Sequence, residues 1–287
     1  MHPERLRLTA NNVEFEVLAW GDPGDPLALC LHGFPDTPWT WRELGPFLAE
    51  RGWRVVAPFM RGYAPTGLAP DDDYSATALA ADAAALHAAL KGDDRAVLIG
   101  HDWGALATWE VTRATPATFA HHVALSVPPT SALVAAFRHR ATAGIALRQV
   151  RRSWYAVFNQ LPGLSERSLD RLIPRLWRDW SPAYPGQGDA AIALTALHDA
   201  ANRRAALRYY RDSLRPAPIR ASAQAPGAAV LYLHGVDDGC LGVDFLSLAQ
   251  PLLAAGSRTL AVDGAGHFLQ LEQPAVVNQA IADWIQS

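Results

Sequence analysis

The sequence is poor in the features that mark several common protein classes. Its 287 residues include only two cysteines, Cys30 and Cys240, far apart in the chain, so a disulfide framework is not expected. No apolar run approaches the roughly 20 residues that a membrane-spanning helix needs. The first residues lack the apolar core and small-residue cleavage site of a signal peptide. We therefore expect a protein of the reducing cytoplasm.

The sequence also lacks a strong charge of either sign. A net charge of −3 argues against a nucleic-acid partner and against a membrane surface. Half of the residues are hydrophobic and 18% are charged, which predicts a soluble globular protein with a large core. The length fits one large α/β fold. No feature of the sequence decides the oligomeric state, and a homodimer is left open.

Short apolar runs alternate with helical patterns along most of the chain. A period-2 pattern predicts a strand at residues 13–21. Compact runs bounded by glycine, proline or charged residues predict buried parallel strands at 26–33, 53–60, 95–100 and 119–128, and the alternation resumes near the end with strands at 228–235 and 258–266. The clearest helix is Ala-rich and covers residues 74–92, and a last helix is expected near 274–287. This alternation predicts a parallel sheet covered by helices on both faces.

The middle of the chain departs from this alternation. Residues 129–219 show helical patterns without a convincing strand and carry 14 arginines, no lysine and six acidic residues, or +8, which leaves −11 for the rest. We interpret residues 129–218 as a helical cap inserted into a core formed by 1–128 and 219–287. The opposite charges would help to hold the parts together or keep each soluble. The arginine-rich segments FRHR and RQVRR are typical of a solvated helical face, with contact to a charged substrate or partner as the alternative.

The stretch GHDWG has the form Gly-x-nucleophile-x-Gly, with Asp102 at its centre. It follows a predicted strand and precedes a predicted helix, which is the context of a nucleophile elbow. The alternative is that Asp102 only caps the following helix. The motif therefore needs partners elsewhere in the chain.

Three further segments supply such partners at the ends of predicted strands. LHGFPD offers the backbone N–H of Phe34, which with that of Trp103 would form an oxyanion hole. GAGHFLQLEQP places His267 after the last strand, in the order expected for the catalytic base. LHGVDDG offers Asp238 to orient that histidine, with Asp237 as the alternative.

Taken together, these motifs resemble the α/β-hydrolases over nearly the full length, and within them the cap-bearing epoxide hydrolases and dehalogenases. The resemblance implies a mostly parallel sheet flanked by helices, a helical cap inserted after the sixth strand, and no cofactor or metal. A carboxylate nucleophile suits attack on a saturated carbon, because the resulting alkyl ester is stable until water attacks its carbonyl. Asp102 would form this ester, and His267, oriented by Asp238, would activate the water.

The leaving group distinguishes the opening of an epoxide from the removal of a halide. An epoxide oxygen needs an acid, and the resemblance places two cap tyrosines for this at Tyr155 and Tyr210, with Tyr209 as the alternative to the second. The Phe34 side chain cannot donate to a halide, and the His-Trp pair of fluoroacetate dehalogenases falls at Tyr155 and Ala156. The sequence therefore predicts an epoxide hydrolase that acts on a small apolar epoxide and water. A dehalogenase is the first alternative, and a non-catalytic binding protein the second.

Overall fold

The computed structural model describes residues 1–138, 140–215, 219–220 and 223–286. Its central element is one sheet with the strand order β1-β2-β4-β3-β5-β6-β7-β8. The strands are β1 (Glu4–Ala10), β2 (Val13–Trp20), β3 (Leu27–Leu31), β4 (Arg54–Pro58), β5 (Val97–His101), β6 (His121–Leu125), β7 (Val230–Gly235) and β8 (Arg258–Val262). Only β2 runs antiparallel to its neighbours, β1 and β4, and all the other pairs are parallel.

Among the described residues, one group of helices follows strands of the sheet, and a second group lies between β6 and β7. They are α1 (Leu44–Ala49), α2 (Ala76–Ala89), α3 (Trp103–Ala114), α4 (Thr130–Arg138), α5 (Ala143–Arg152), α6 (Trp154–Phe158), α7 (Leu164–Trp180), α8 (Gln187–Ala196), α9 (Ala200–Ser213), α10 (Asp244–Ala249), α11 (Leu269–Glu272) and α12 (Pro274–Ile285). Strands β3, β4, β5 and β7 are buried along their whole length, because helices cover both faces of the sheet. No helix of the described ranges is long and apolar enough to span a bilayer.

Each strand expected from the sequence is present, and one strand was not foreseen. β1 contains the sequence ERLRLTA, and only its last residue is buried. It lies at the edge of the sheet, paired with β2 alone, so it does not need the apolar run that marks a buried strand. Its weak pattern explains why the sequence did not reveal it.

Helices α4 to α9 follow one another between β6 and β7, and the described residues of this segment form no strand. The expected end of the segment at residue 218 lies outside the described residues. Trp177 of α7 stacks on Phe268 with ring centroids 3.5 Å apart, and its indole N–H donates to the carbonyl of Pro35 at 2.8 Å. This buried contact fixes α7 against the two loops at one edge of the sheet.

Ion pairs also join this helical segment to the sheet. Arg148 Nη2 lies 2.8 Å from Asp244 Oδ2, and Arg208 pairs with Asp72. In a third pair the helical segment supplies the acidic partner: Arg42 Nη1, near α1, lies 2.7 Å from Asp189 Oδ1 of α8. Such partly exposed pairs contribute at most about 1 kcal/mol each, so apolar packing does more than charge to hold the helical segment against the sheet.

Candidate active site

The turn between β5 and α3 holds Asp102 in a strained backbone conformation. Its φ of 53° and ψ of −113° are unusual for a residue with a side chain. The turn is also crowded: a Cβ atom at Gly100 would overlap the carbonyl oxygen of Gly104, and one at Gly104 would overlap that of Leu31. The flanking glycines are therefore required by the close approach of the backbone. Strain of this kind, about 1–3 kcal/mol, persists only where the surrounding structure fixes it.

Two backbone N–H groups lie beside the Asp102 carboxylate. Phe34 N donates to Asp102 Oδ1 at 2.7 Å. A Cβ atom at Gly33 would collide with the same carboxylate and with the amide nitrogen of Trp103, so the three groups are close neighbours. As the first N–H of α3, that of Trp103 has no acceptor within the helix. Both expected donors therefore lie next to the predicted nucleophile.

His267 lies between two carboxylates. Its Nδ1 is 2.9 Å from Asp238 Oδ2, and its Nε2 is 3.5 Å from Asp102 Oδ2. The imidazole is fully buried, which by itself lowers its pKa, but Asp238 and Asp102 outweigh burial and raise the pKa to about 10. The two carboxylates therefore favour the protonated form of His267. Asp237, the alternative partner, has an exposed side chain.

The loops that carry these side chains are held by specific hydrogen bonds. Asp238 Oδ1 accepts the backbone N–H groups of Cys240 and Leu241 at 2.7 and 3.0 Å. The carbonyl of Trp180, at the end of α7, accepts the N–H groups of Gly239 and His267 at 3.0 and 3.1 Å. One helix end therefore fixes both the aspartate loop and the histidine loop.

Two side chains contact the backbone carbonyl oxygen of His267. Ser126 Oγ donates to it at 2.6 Å, and His101 Nε2 lies 2.9 Å from it. Burial lowers the pKa of His101 to about 3, so its ring is neutral and the proton on Nε2 is the donor.

A cavity of about 600 Å³ adjoins Asp102, and its wall is almost entirely apolar. Tyr155 from α6 and Tyr210 from α9 both line it. Tyr155 Oη is 3.2 Å from Cys240 Sγ, whereas Tyr210 Oη has no hydrogen-bond partner among the described residues. Burial raises the pKa of both phenols, which are therefore protonated at neutral pH. Tyr209, the alternative, donates instead to the carbonyl of Arg61 at 2.9 Å.

Cys240 was not anticipated as a site residue. It lines the cavity two residues after Asp238, and its side chain lies within 4.8 Å of those of Asp238 and His267. This cluster is a poor match for a metal, because both Asp238 oxygens already accept hydrogen bonds. Burial raises the pKa of the Cys240 thiol, whereas a metal ligand must be a thiolate. Only its place in the sequence DDGC could have drawn attention to it.

The groups of the site all follow the carboxyl ends of parallel strands and therefore lie at the same end of the sheet. They are Asp102, Asp238, His267 and the Phe34 amide. A mostly parallel sheet with a carboxylate on a sharp strand–helix turn, facing a buried histidine–aspartate pair, defines the α/β-hydrolase class of fold. The chain belongs to the alpha/beta hydrolase family, whose model matches residues 28–280. The fold expected from the sequence is thereby confirmed.

Individual relatives cover the whole chain. It is 29% identical to epoxide hydrolase A of Mycobacterium tuberculosis, over 98% of this chain and 97% of that protein. It is 26% identical to AB hydrolase superfamily protein YfhM of Bacillus subtilis, again over 98% and 97%. Among solved structures, epoxide hydrolase A from Mycobacterium thermoresistibile superposes with a TM-score of 0.81 at 25% identity and covers 99% of this chain and 98% of that one.

Proposed function

We propose that this protein is an epoxide hydrolase that converts an apolar epoxide and water into a vicinal diol. One observation carries the proposal. The Asp102 carboxylate and the side chains of Tyr155 and Tyr210 line the same apolar cavity, and His267 Nε2 lies 3.5 Å from Asp102 Oδ2. Relatives named as epoxide hydrolases support it. The helical segment that supplies both tyrosines, residues 129–218, is proposed to be a cap over a core formed by 1–128 and 219–287.

In the first step, Asp102 attacks a ring carbon. Because Oδ1 is held by the Phe34 N–H, Oδ2 is the oxygen that bonds to the substrate. The ring C–O bond breaks, and its electron pair stays on the ring oxygen, which takes a proton from Tyr155 or Tyr210. A protonated phenol is required here, which agrees with the raised pKa of both groups.

Esterification removes the negative charge of Asp102. Since that charge helps to hold the His267 pKa near 10, its loss lowers the pKa, and the imidazolium returns a proton to the phenolate. Neutral His267 then accepts a proton from water, whose oxygen attacks the carbonyl carbon of the ester. The Phe34 and Trp103 amides stabilise the resulting oxyanion. Collapse expels the diol as an alkoxide, which takes the proton from His267. The carboxylic acid left on Asp102 then passes its proton to His267, which restores the carboxylate and the imidazolium.

The decisive experiment follows oxygen through a single turnover in heavy-oxygen water, with enzyme in excess over an aryl epoxide. The proposal requires an unlabelled diol and label in the peptide that contains Asp102. Label in the diol from this first turnover would exclude the ester. Chloride and fluoride release from matched haloalkane and haloacid substrates, measured in parallel, tests dehalogenation as the alternative. A protein that gives neither product would be a non-catalytic binder.

The tyrosine roles are tested by removing single hydroxyl groups. We expect Tyr155→Phe and Tyr210→Phe each to slow ester formation, and the double variant to slow it by about 10²–10⁴-fold, the usual range for general-acid catalysis. Each single variant loses less because the other hydroxyl still donates. Rapid-quench measurement of diol and adduct gives the rates. Tyr209→Phe is the matched control and should keep the wild-type rate, since its hydroxyl bonds to Arg61. Equal losses in Tyr209→Phe and Tyr210→Phe would refute the assignment.

The raised pKa of His267 predicts a pH dependence of stability. A histidine with a pKa of about 6.5 when unfolded and about 10 when folded binds its proton more tightly in the native state. This contribution is complete below pH 6.5 and is lost as the pH rises through 10. We expect the free energy of unfolding of the wild type to fall between pH 7 and 10 more steeply than that of His267→Gln. Urea titrations of both proteins measure it, and equal slopes would contradict the ion-pair assignment.

A further inference from the structure

Exposed apolar side chains surround the mouth of the cavity. Phe137 of α4, Leu147 and Val150 of α5, and Val157 of α6 are 57%, 61%, 58% and 73% exposed. Phe137, Val150 and Val157 also belong to the cavity wall, and Leu147 lies three residues before Val150 on the same side of α5. These four residues are called the apolar rim below. Single exposed apolar residues are common on protein surfaces, but a cluster on three consecutive helices around one opening marks an interaction surface.

The segment that carries the apolar rim has an excess of positive charge. Residues 130–165 contain five arginines and no aspartate or glutamate. Arg138 reaches the cavity wall, and Arg151 is exposed with no acidic partner among the described residues. Arg148 pairs with Asp244, a partly exposed aspartate of α10. The overall charge of −3, which by itself argues against a membrane surface, therefore does not describe this face.

We propose that the apolar rim and its arginines dock on the surface of an anionic lipid bilayer. Leucine, valine and phenylalanine side chains enter the boundary between headgroups and acyl chains, and arginines pair with lipid phosphates. A second copy of the chain fits less well, because it would bring two positive faces together. The bilayer also dissolves apolar epoxides, so docking opens the cavity towards its substrate. This last point rests on the proposed function.

Co-sedimentation of the full-length protein with vesicles tests the docking without any substrate. We expect binding to vesicles that contain one quarter phosphatidylglycerol, and weaker binding to phosphatidylcholine alone or at high salt. Leu147→Glu, a residue outside the cavity wall, should weaken binding by about tenfold or more, since it loses apolar contact and adds a repelled charge. Val276→Glu is the matched control: Val276 is 47% exposed on α12, a helix that packs against α1, β6 and β7.

Three outcomes would overturn the docking: no binding to the anionic vesicles, equal loss in both variants, or self-association in sedimentation velocity without lipid that Leu147→Glu abolishes. Turnover of a water-soluble epoxide separates this inference from the proposed function. Diol production without vesicle binding refutes the docking alone. Vesicle binding without diol production refutes the hydrolase assignment alone. With both intact, Leu147→Glu should match the wild type on the water-soluble epoxide and be slower on an epoxide supplied within vesicles.

Discussion

Asp102→Asn is expected to lower the rate of diol formation by about 10⁴-fold or more, the scale on which loss of a catalytic nucleophile acts. An amide oxygen is a far weaker nucleophile than a carboxylate oxygen towards a saturated carbon. The substitution keeps the side-chain shape, and asparagine tolerates the positive φ of this position better than most residues do. Phe34 N still finds an oxygen to which it can donate. The loss should therefore be in chemistry and not in folding.

Steady-state diol production, the mass of the intact protein after incubation with epoxide, and thermal unfolding together measure this effect. The variant should form no adduct and unfold cooperatively. Asp237→Asn is the matched control, because the same chemical change is made on an exposed aspartate of the neighbouring loop. It should keep the wild-type rate. A folded Asp102→Asn protein that still produces diol would show that this carboxylate is not the nucleophile.

The sheet could be predicted from the sequence because its inner strands are short, apolar and fully buried. Runs such as VLIGH in β5 and VLYLHG in β7 are too short for a typical buried helix and are rich in β-branched and aliphatic residues, which favours buried strands. β1 escaped because an edge strand with one neighbour has weaker apolar requirements. The predicted end of the inserted helical segment lies outside the described residues and stays a prediction.

The catalytic candidates at the sheet edge were predictable for a topological reason. Parallel strands place their carboxyl ends together, so Asp102, Asp238 and His267 had to converge if each followed such a strand. The choice of Tyr210 over Tyr209 depended on resemblance, and that of Asp238 over Asp237 on its place three residues after Gly235. Periodicity could not decide either, because a one-residue shift on a loop or helix changes which way the side chain points. Their distances to His267 and to the cavity favour these choices. Cys240 and the apolar rim were not foreseen, since the packing of the helices and of the loop after β7 decides which side chains surround the cavity.

His267→Gln should separate the two half-reactions. Ester formation does not need the imidazole as a base, whereas hydrolysis does, so we expect a rapid burst followed by turnover that is about 10²–10⁴-fold slower. The protein should accumulate a covalent adduct that raises its mass by that of the epoxide. Glutamine can still donate a hydrogen bond towards Asp238, which limits the disturbance of the buried carboxylate. Rapid mixing followed by mass spectrometry of the intact chain measures both the burst and its decay.

The double variant Asp102→Asn/His267→Gln locates the adduct. If the ester forms on Asp102, the double variant should show no mass increase, although its cavity keeps both tyrosines and the apolar wall. An adduct that persists in the double variant would place alkylation elsewhere, for example on the Cys240 thiol beside Tyr155. A His267→Gln protein that turns over at the wild-type rate without an adduct would mean that water attacks the epoxide directly. The two variants together therefore test both the nucleophile and the order of the steps.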